Sequence, residues 1–182
     1  TEVLISMSNE IVVLVVDDER DHADGLAESL EDYCSNAIAV YNGKDAIEIL
    51  GNKKVDIVVT DLKLGGEVSG LDILDEAKNR DGQTAVILIT AYASIDTCKD
   101  ALRRGAYDYL VKPINIDQLR SLVSEASKRI NRVKFEVEQD ERILSDHFEF
   151  EGVKGESEAM TGIFEVLNRV SRTNISVLIE GE

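Results

Sequence analysis

Five short runs of mostly apolar, β-branched residues recur along this chain: Ile11–Val16, Ala37–Tyr41, Val55–Thr60, Ala85–Thr90 and Tyr107–Val111. A strand with one wet face would alternate apolar with polar residues. Runs that barely alternate belong to strands covered on both faces, which is the mark of a parallel sheet. Between them lie helical patterns: Ala23, Leu26, Ala27 and Leu30; Ala46, Ile47 and Leu50; Leu71, Ile73, Leu74 and Ala77; Ile95, Cys98, Ala101 and Leu102. Gly51 and Gly105 are read as helix stops. Five strands alternating with five helices give an α/β fold with a doubly wound five-stranded parallel sheet. Right-handed crossovers leave few topologies, and the flavodoxin-like order 2-1-3-4-5 is expected. Residues 1–9 show no regular pattern and carry no weight here.

The net charge is −16 over 182 residues. So acidic a surface repels phosphate backbones, which argues against nucleic-acid binding by this chain. No apolar run approaches the roughly 20 residues of a bilayer span, and the start lacks a basic stretch leading into an apolar one. No membrane association and a cytoplasmic location are expected. Cys34 and Cys98 lie far apart and read as free thiols. His22 and His147 stand alone and are not read as metal ligands.

In sheets of this kind the ligand site lies beyond the carboxyl ends of the strands. There the runs deliver polar groups in succession: Asp17 and Asp18 after the first, Asp61 after the third, Thr90 at the end of the fourth, Lys112-Pro113 after the fifth. Each alone is ordinary, since an Asp after a strand is usually a turn former or helix cap. Together they make a pocket. Three carboxylates at one edge repel unless a cation offsets them. An oxygen donor set suits Mg²⁺, which favours one or two carboxylates and a phosphate. Thr90 supplies a hydrogen-bond donor and Lys112 a compact positive charge.

Residues 10–131 resemble the receiver domain of two-component response regulators. The matching pieces are Val16-Asp17-Asp18-Glu19, Val59-Thr60-Asp61-Leu62, Leu88-Ile89-Thr90-Ala91 and Gly105-Ala106-Tyr107-Asp108-Tyr109-Leu110-Val111-Lys112-Pro113. The resemblance implies that Asp61 accepts a phosphoryl group from a sensor histidine kinase. It implies that Asp17, Asp18, Asp61 and the Lys63 carbonyl hold Mg²⁺, and that Thr90 and Lys112 bind the phosphoryl oxygens. It also implies a cis Lys112–Pro113 bond and a switch in which Tyr109 follows Thr90 inward while helix 94–104, strand 107–111 and the last helix rearrange. One departure concerns the loop Asp61–Gly70. It lacks the family's proline, carries Gly65 and Gly66, and is about a residue longer, so a more mobile loop is expected.

From Leu119 apolar positions recur in steps of four and three: Leu119, Val123, Ala126, Ile130, Val133 and Val137, then Asp140 and Leu144. That is a heptad seam, and residues 132–147 are read as a helical coiled-coil linker of a homodimer. Asp140 in the seam and like charges beside it (Arg129 with Lys134, Glu136 with Glu141) point to a weak, switchable pair. Residues 148–182 contain a helical pattern after Gly155 with Met160, Phe164, Leu167 and Val170 on one face, then Ile175–Ile179 and Gly181-Glu182. This stretch resembles the opening of the AAA+ ATPase of sigma54-dependent transcription activators. It includes no complete phosphate-binding loop. The resemblance implies a longer protein that engages ATP, DNA and sigma54 RNA polymerase. Two other readings compete: a scaffold or dimerisation module with an inactive phosphosite, and a haloacid-dehalogenase-type phosphatase. The second needs its nucleophile and acid two residues apart, whereas Asp17 and Asp18 are adjacent.

Overall fold

The computed structural model describes residues 11–91 and 95–145, with side chains described for 11–91 and 97–135. By contacts the chain divides into two units, Thr1–Asn131 and Arg132–Glu182. In the first, β1 (Val12–Val16), α1 (Arg20–Leu30), β2 (Asn36–Val40), α2 (Gly43–Asn52), β3 (Ile57–Asp61), α3 (Gly70–Arg80), β4 (Ala85–Thr90), α4 (Ile95–Arg103) and β5 (Asp108–Val111) alternate, and α5 (Ile116–Ser145) follows. All strand pairs are parallel, in the order β2-β1-β3-β4-β5. The expected α/β piece at 148–182 lies outside the described residues.

The even burial of the strands follows from the double cover. Successive side chains point to opposite faces. Val13, Val15, Ile57, Val59, Ile87 and Ile89 pack against α1 and α5, while Leu14, Val16, Val58, Val86 and Leu88 pack against α2, α3 and α4. β4 is buried at all six positions, as a central strand without alternation should be.

Two helix details differ from expectation and a third agrees with it. Gly51 does not end α2, which runs through Asn52. The break comes at Lys53, whose extended backbone leaves the helix while its N–H still reaches the Ile49 carbonyl at 2.8 Å. Leu102 is 50% exposed and does not share the buried face with Ala101. Gly105 does end α4. It sits at φ +90°, and the bonds Gly105 N–H to Leu102 O and Ala106 N–H to Ala101 O form the paired closure of a Schellman motif.

The amino-terminal edge of the sheet is fastened by side chains. Asp56 accepts from the Val12 N–H at 3.0 Å, Thr84 donates its hydroxyl to the Val55 carbonyl at 3.0 Å, and Lys78 donates to the carbonyls of Gly82 and Thr84. Burial lowers the Lys78 pKa, helped by the charge of Arg129.

α5 is one helix to Ser145. Leu119, Val123, Ala126 and Ile130 are buried in the core beneath it, so these four seam positions are committed to the sheet. Val133 is half-buried and Phe135 exposed. The side chains of Val137, Asp140 and Leu144 lie outside the described residues. No helix among the described residues is long and apolar enough to cross a membrane.

Candidate functional site at the carboxyl edge of the sheet

Asp17 follows β1 directly and is 1% exposed. Its Oδ1 accepts the Glu19 N–H at 3.0 Å, which turns the chain into α1. Its Oδ2 accepts from His22 Nδ1 at 2.7 Å and from Lys112 Nζ at 3.2 Å. Asp17 is therefore both a turn former and a member of the pocket.

Asp61 closes β3 and is 8% exposed. Its Oδ1 accepts the Lys63 N–H at 2.9 Å and its Oδ2 takes Lys112 Nζ at 2.5 Å. Lys112 is held by its own N–H to the Thr90 carbonyl, at 2.8 Å, and by a cis bond to Pro113. Burial alone would lower the Lys112 pKa. Its hydrogen bonds to Asp61 and Asp17, with their negative charges, outweigh that and raise it. One ammonium thus bridges two buried carboxylates.

Asp18 stands apart from that bridge. It is exposed, and its Oδ2 lies 2.8 Å from where a Cβ on Gly65 would sit. The expected meeting of three carboxylates is thus two joined by a lysine, with a third beside the loop. Among the described residues no three His, Cys, Asp or Glu side chains stand together ready to hold an ion. The donors at this edge are all hard oxygens apart from His22, whose Nδ1 is engaged by Asp17, so the chemistry fits Mg²⁺.

The loop after Asp61 is fastened at several points, which its two glycines alone did not suggest. The Leu62 N–H bonds the Ile89 carbonyl at 2.7 Å, the Gly66 N–H bonds the Leu64 carbonyl at 2.8 Å, and Ser69 with Asp72 forms a capping box for α3. Gly70 starts α3 so close to the strand that an added Cβ would lie 2.3 Å from the Asp61 carbonyl oxygen. Val68 crowds Gly43 of α2 in the same way.

Thr90 ends β4 and is 5% exposed. With Leu62, Leu88, Thr97, Cys98, Ala101 and Tyr109 it lines a shallow, largely apolar pocket between β4, β5 and α4. Tyr109 and Cys98 both line it, and the nearby Cys98 raises the phenol's pKa.

Every residue singled out by the strand-end pattern is thus at one edge. His22 and Cys98 were missed. The available signal for His22 was its position five residues after Asp17, about one helical turn into α1. For Cys98 it was its place on the inner face of α4, opposite the fifth strand.

A model of the response regulator receiver domain matches residues 13–124. The response regulator protein PilR of Pseudomonas aeruginosa is 35% identical over 169 residues, covering 93% of this chain and 36% of the relative. The DNA-binding transcriptional regulator NtrC of Escherichia coli is 32% identical over 171 residues, covering 94% of this chain and 35% of the relative. The crystal structure of NtrX from Brucella abortus in complex with ATP superposes with a TM-score of 0.62 at 29% identity, covering 91% of this chain and 35% of that one. The chain spans about a third of the length of these curated relatives. On the family match and on the fold that carries the site, this chain belongs to the response regulator receiver domains.

Proposed function

We propose that Asp61 is the phosphoacceptor of a two-component switch, charged by a sensor histidine kinase. The observation that carries this reading is the Lys112 ammonium bridging the Asp61 and Asp17 carboxylates at the carboxyl edge of the sheet. A nucleophilic carboxylate held beside a fixed cation suits in-line attack on phosphorus. The Asp61 oxygen forms the new O–P bond as the P–N bond to the kinase histidine breaks. Lys112 and the Thr90 hydroxyl then take up charge on the equatorial oxygens. Asp17, Asp18, Asp61 and the Lys63 carbonyl are the ligands proposed for Mg²⁺, which when bound offsets charge on the transferring group. Asp17 is set by His22 and the turn at Glu19, and Asp18 turns in from beside Gly65.

The same reading assigns the output. Thr90 turns toward the phosphoryl group, Tyr109 follows, and α4, β5 and α5 rearrange. Residues 10–131 form the receiver, 132–147 a helical linker that pairs in a homodimer, and 148–182 the start of an AAA+ ATPase domain. In the parent protein this output governs sigma54-dependent transcription with ATP, DNA and RNA polymerase. Its support is the likeness to NtrC and PilR along nearly the whole chain.

The test is incubation of the chain with acetyl phosphate and Mg²⁺, followed by intact mass measurement. A phosphoryl-sized gain that disappears in Asp61→Asn is expected. An equal gain in that variant would remove Asp61 from the role.

A further inference from the structure

The Asp17 backbone is fixed by its N–H, which bonds the Val40 carbonyl at 3.2 Å, so only the carboxylate is left to set. Oδ1 takes one hydrogen bond, from the Glu19 N–H, and Oδ2 takes two, from His22 and Lys112. A carboxylate oxygen has about two lone-pair sites. Oδ2 is therefore full, and Oδ1 keeps one site for a cation. Of the two bonds on Oδ2 the one from His22 is the shorter, 2.7 Å against 3.2 Å. His22 stands in the first turn of α1, and its ring borders an open cavity of about 440 Å³ shared with Asp21, Gly25, Lys112 and Pro113. With 33% of its side chain exposed, the ring is fixed by the bond to Asp17 rather than by packing alone.

We propose that His22 is a positioning residue that keeps the Asp17 carboxylate in place when Lys112 leaves it for the phosphoryl group. This inference rests on the phosphoacceptor reading above. The Lys112 ammonium is shared between Asp61 and Asp17, and its bond to Asp17 is the longer of the two. Once Asp61 carries a phosphoryl group, the new negative oxygens draw the ammonium to them, and the Asp17 bond is the one given up. The Glu19 N–H alone is then a pivot, because the last torsion of an Asp side chain is broad. His22 holds the other oxygen. Two bonds on two oxygens fix the carboxylate plane and leave the open site of Oδ1 where a cation can use it. A group behind a metal ligand acts in this way, by orienting the ligand. A carboxylate only accepts hydrogen bonds, so Nδ1 of His22 carries the hydrogen.

The whole chain is compared with His22→Leu, which fills the space without a donor, and His22→Asn, whose amide nitrogen takes the place of Nδ1. Calorimetric titration with Mg²⁺ is run alone and beside beryllium fluoride as phosphoryl mimic. His22→Leu should weaken Mg²⁺ binding roughly threefold alone and roughly tenfold beside the mimic, the latter near the lower end of what a metal site loses with the partner of one ligand. His22→Asn should return both values toward the parent, which a merely space-filling role would not produce. Imidazole nitrogen resonances give an independent reading. The chain has two histidines, and the one missing from His22→Asn should carry a hydrogen on Nδ1. Equal or tighter Mg²⁺ binding in His22→Leu, an equal loss with and without the mimic, no rescue by asparagine, or a bare Nδ1 overturns the proposal. A parent chain that binds no Mg²⁺ overturns it together with the metal assignment. A parent that binds Mg²⁺ but gains no phosphoryl mass from acetyl phosphate brings down the phosphoacceptor reading instead, and the Nδ1 hydrogen and the titration without the mimic still judge the hold on Asp17.

Discussion

Lys112 Nζ, from the residue that follows the fifth strand, lies 2.5 Å from Asp61 Oδ2 at the end of the third. The same nitrogen reaches Asp17 Oδ2 at 3.2 Å. Removing this ammonium leaves two buried carboxylates facing each other. Breaking one side of a buried pair is costly because the surviving charge is uncompensated. Lys112→Ala should lose about 2 kcal/mol of stability, discounted from the fully buried case because the Lys112 side chain is 26% exposed. Added Mg²⁺ should raise the melting temperature of this variant more than that of the parent. Equal Mg²⁺ stabilisation of the two in a thermal melt would contradict the argument.

Asp18 is the least constrained of the three acids, so its removal tests the metal without disturbing the core. Asp18→Ala should fold normally, bind Mg²⁺ more weakly and take up phosphoryl more slowly. Calorimetric titration with Mg²⁺ in the absence of any phosphodonor decides this. An unchanged isotherm would exclude Asp18 as a ligand.

The loop after Asp61 offers a matched pair of glycines. Nothing lies within 4 Å of a Cβ added at Gly66, whereas one at Gly70 would meet the Asp61 carbonyl oxygen at 2.3 Å. Gly66→Ala should be within about 0.5 kcal/mol of the parent and Gly70→Ala should cost about 2 kcal/mol or more, since the obstruction is backbone. Urea unfolding of both variants gives the comparison. Similar midpoints would mean that α3 can draw back from the strand at little cost.

Ser69 and Asp72 close the start of α3 on each other, and the Ser69 hydroxyl and N–H hold the Asp72 carboxyl below its ordinary value of 3.8. A lowered folded-state value means stability present above the ordinary value and lost as pH falls through the folded one. Ser69→Ala should cost about 1 kcal/mol at neutral pH, the usual worth of such a cap. That difference should shrink as the pH drops below 3.8. Denaturant titrations at neutral and strongly acidic pH give the two values, and a difference independent of pH would detach Asp72 from the cap's energetics.

The linker needs a substitution clear of the core. Ile130 is buried with Leu119, Val123 and Ala126, so an acid there would damage the receiver itself and could not isolate dimerisation. Val137→Asp with Leu144→Asp strikes only the later seam. It should yield a monomer by light scattering with phosphoryl uptake at Asp61 unchanged. A parent chain already monomeric at micromolar concentration rules out the linker dimer.

The strands were legible because burial on both faces forces near-continuous apolar runs, and the parallel order followed from the crossover rule. Their ends shifted by a residue or two, as at Val55 and Asp56. Apolarity records burial, whereas a strand's end is set by hydrogen bonding, and Asp56 turns its carboxylate onto Val12 at the margin. The polar strand ends could be read because each follows its own run directly. His22 and Cys98 could not be read that way. Their contacts depend on how α1 and α4 are rotated against the sheet, which sequence spacing fixes only to within a face. Gly51 misled because glycine at a helix end is a statistical stop, whereas this helix ends where Lys53 turns extended.

The fastenings of Asp56, Thr84 and Lys78 have a mechanical consequence. Asp56 and Thr84 tie neighbouring strands at the amino-terminal edge through side chains as well as the ladder, and Lys78 ties α3 to the turn before β4, while at the opposite edge the Lys112 bridge joins Asp17 and Asp61. By these bonds the sheet should behave as a set of staves clamped at one end. Displacement of any strand tip is then expected to grow with distance from the clamp and to be largest where the acids stand. Backbone amides at Val12, Asp56 and Ala85 should accordingly be the last to exchange with solvent, and those around Tyr109 and Lys112 among the first.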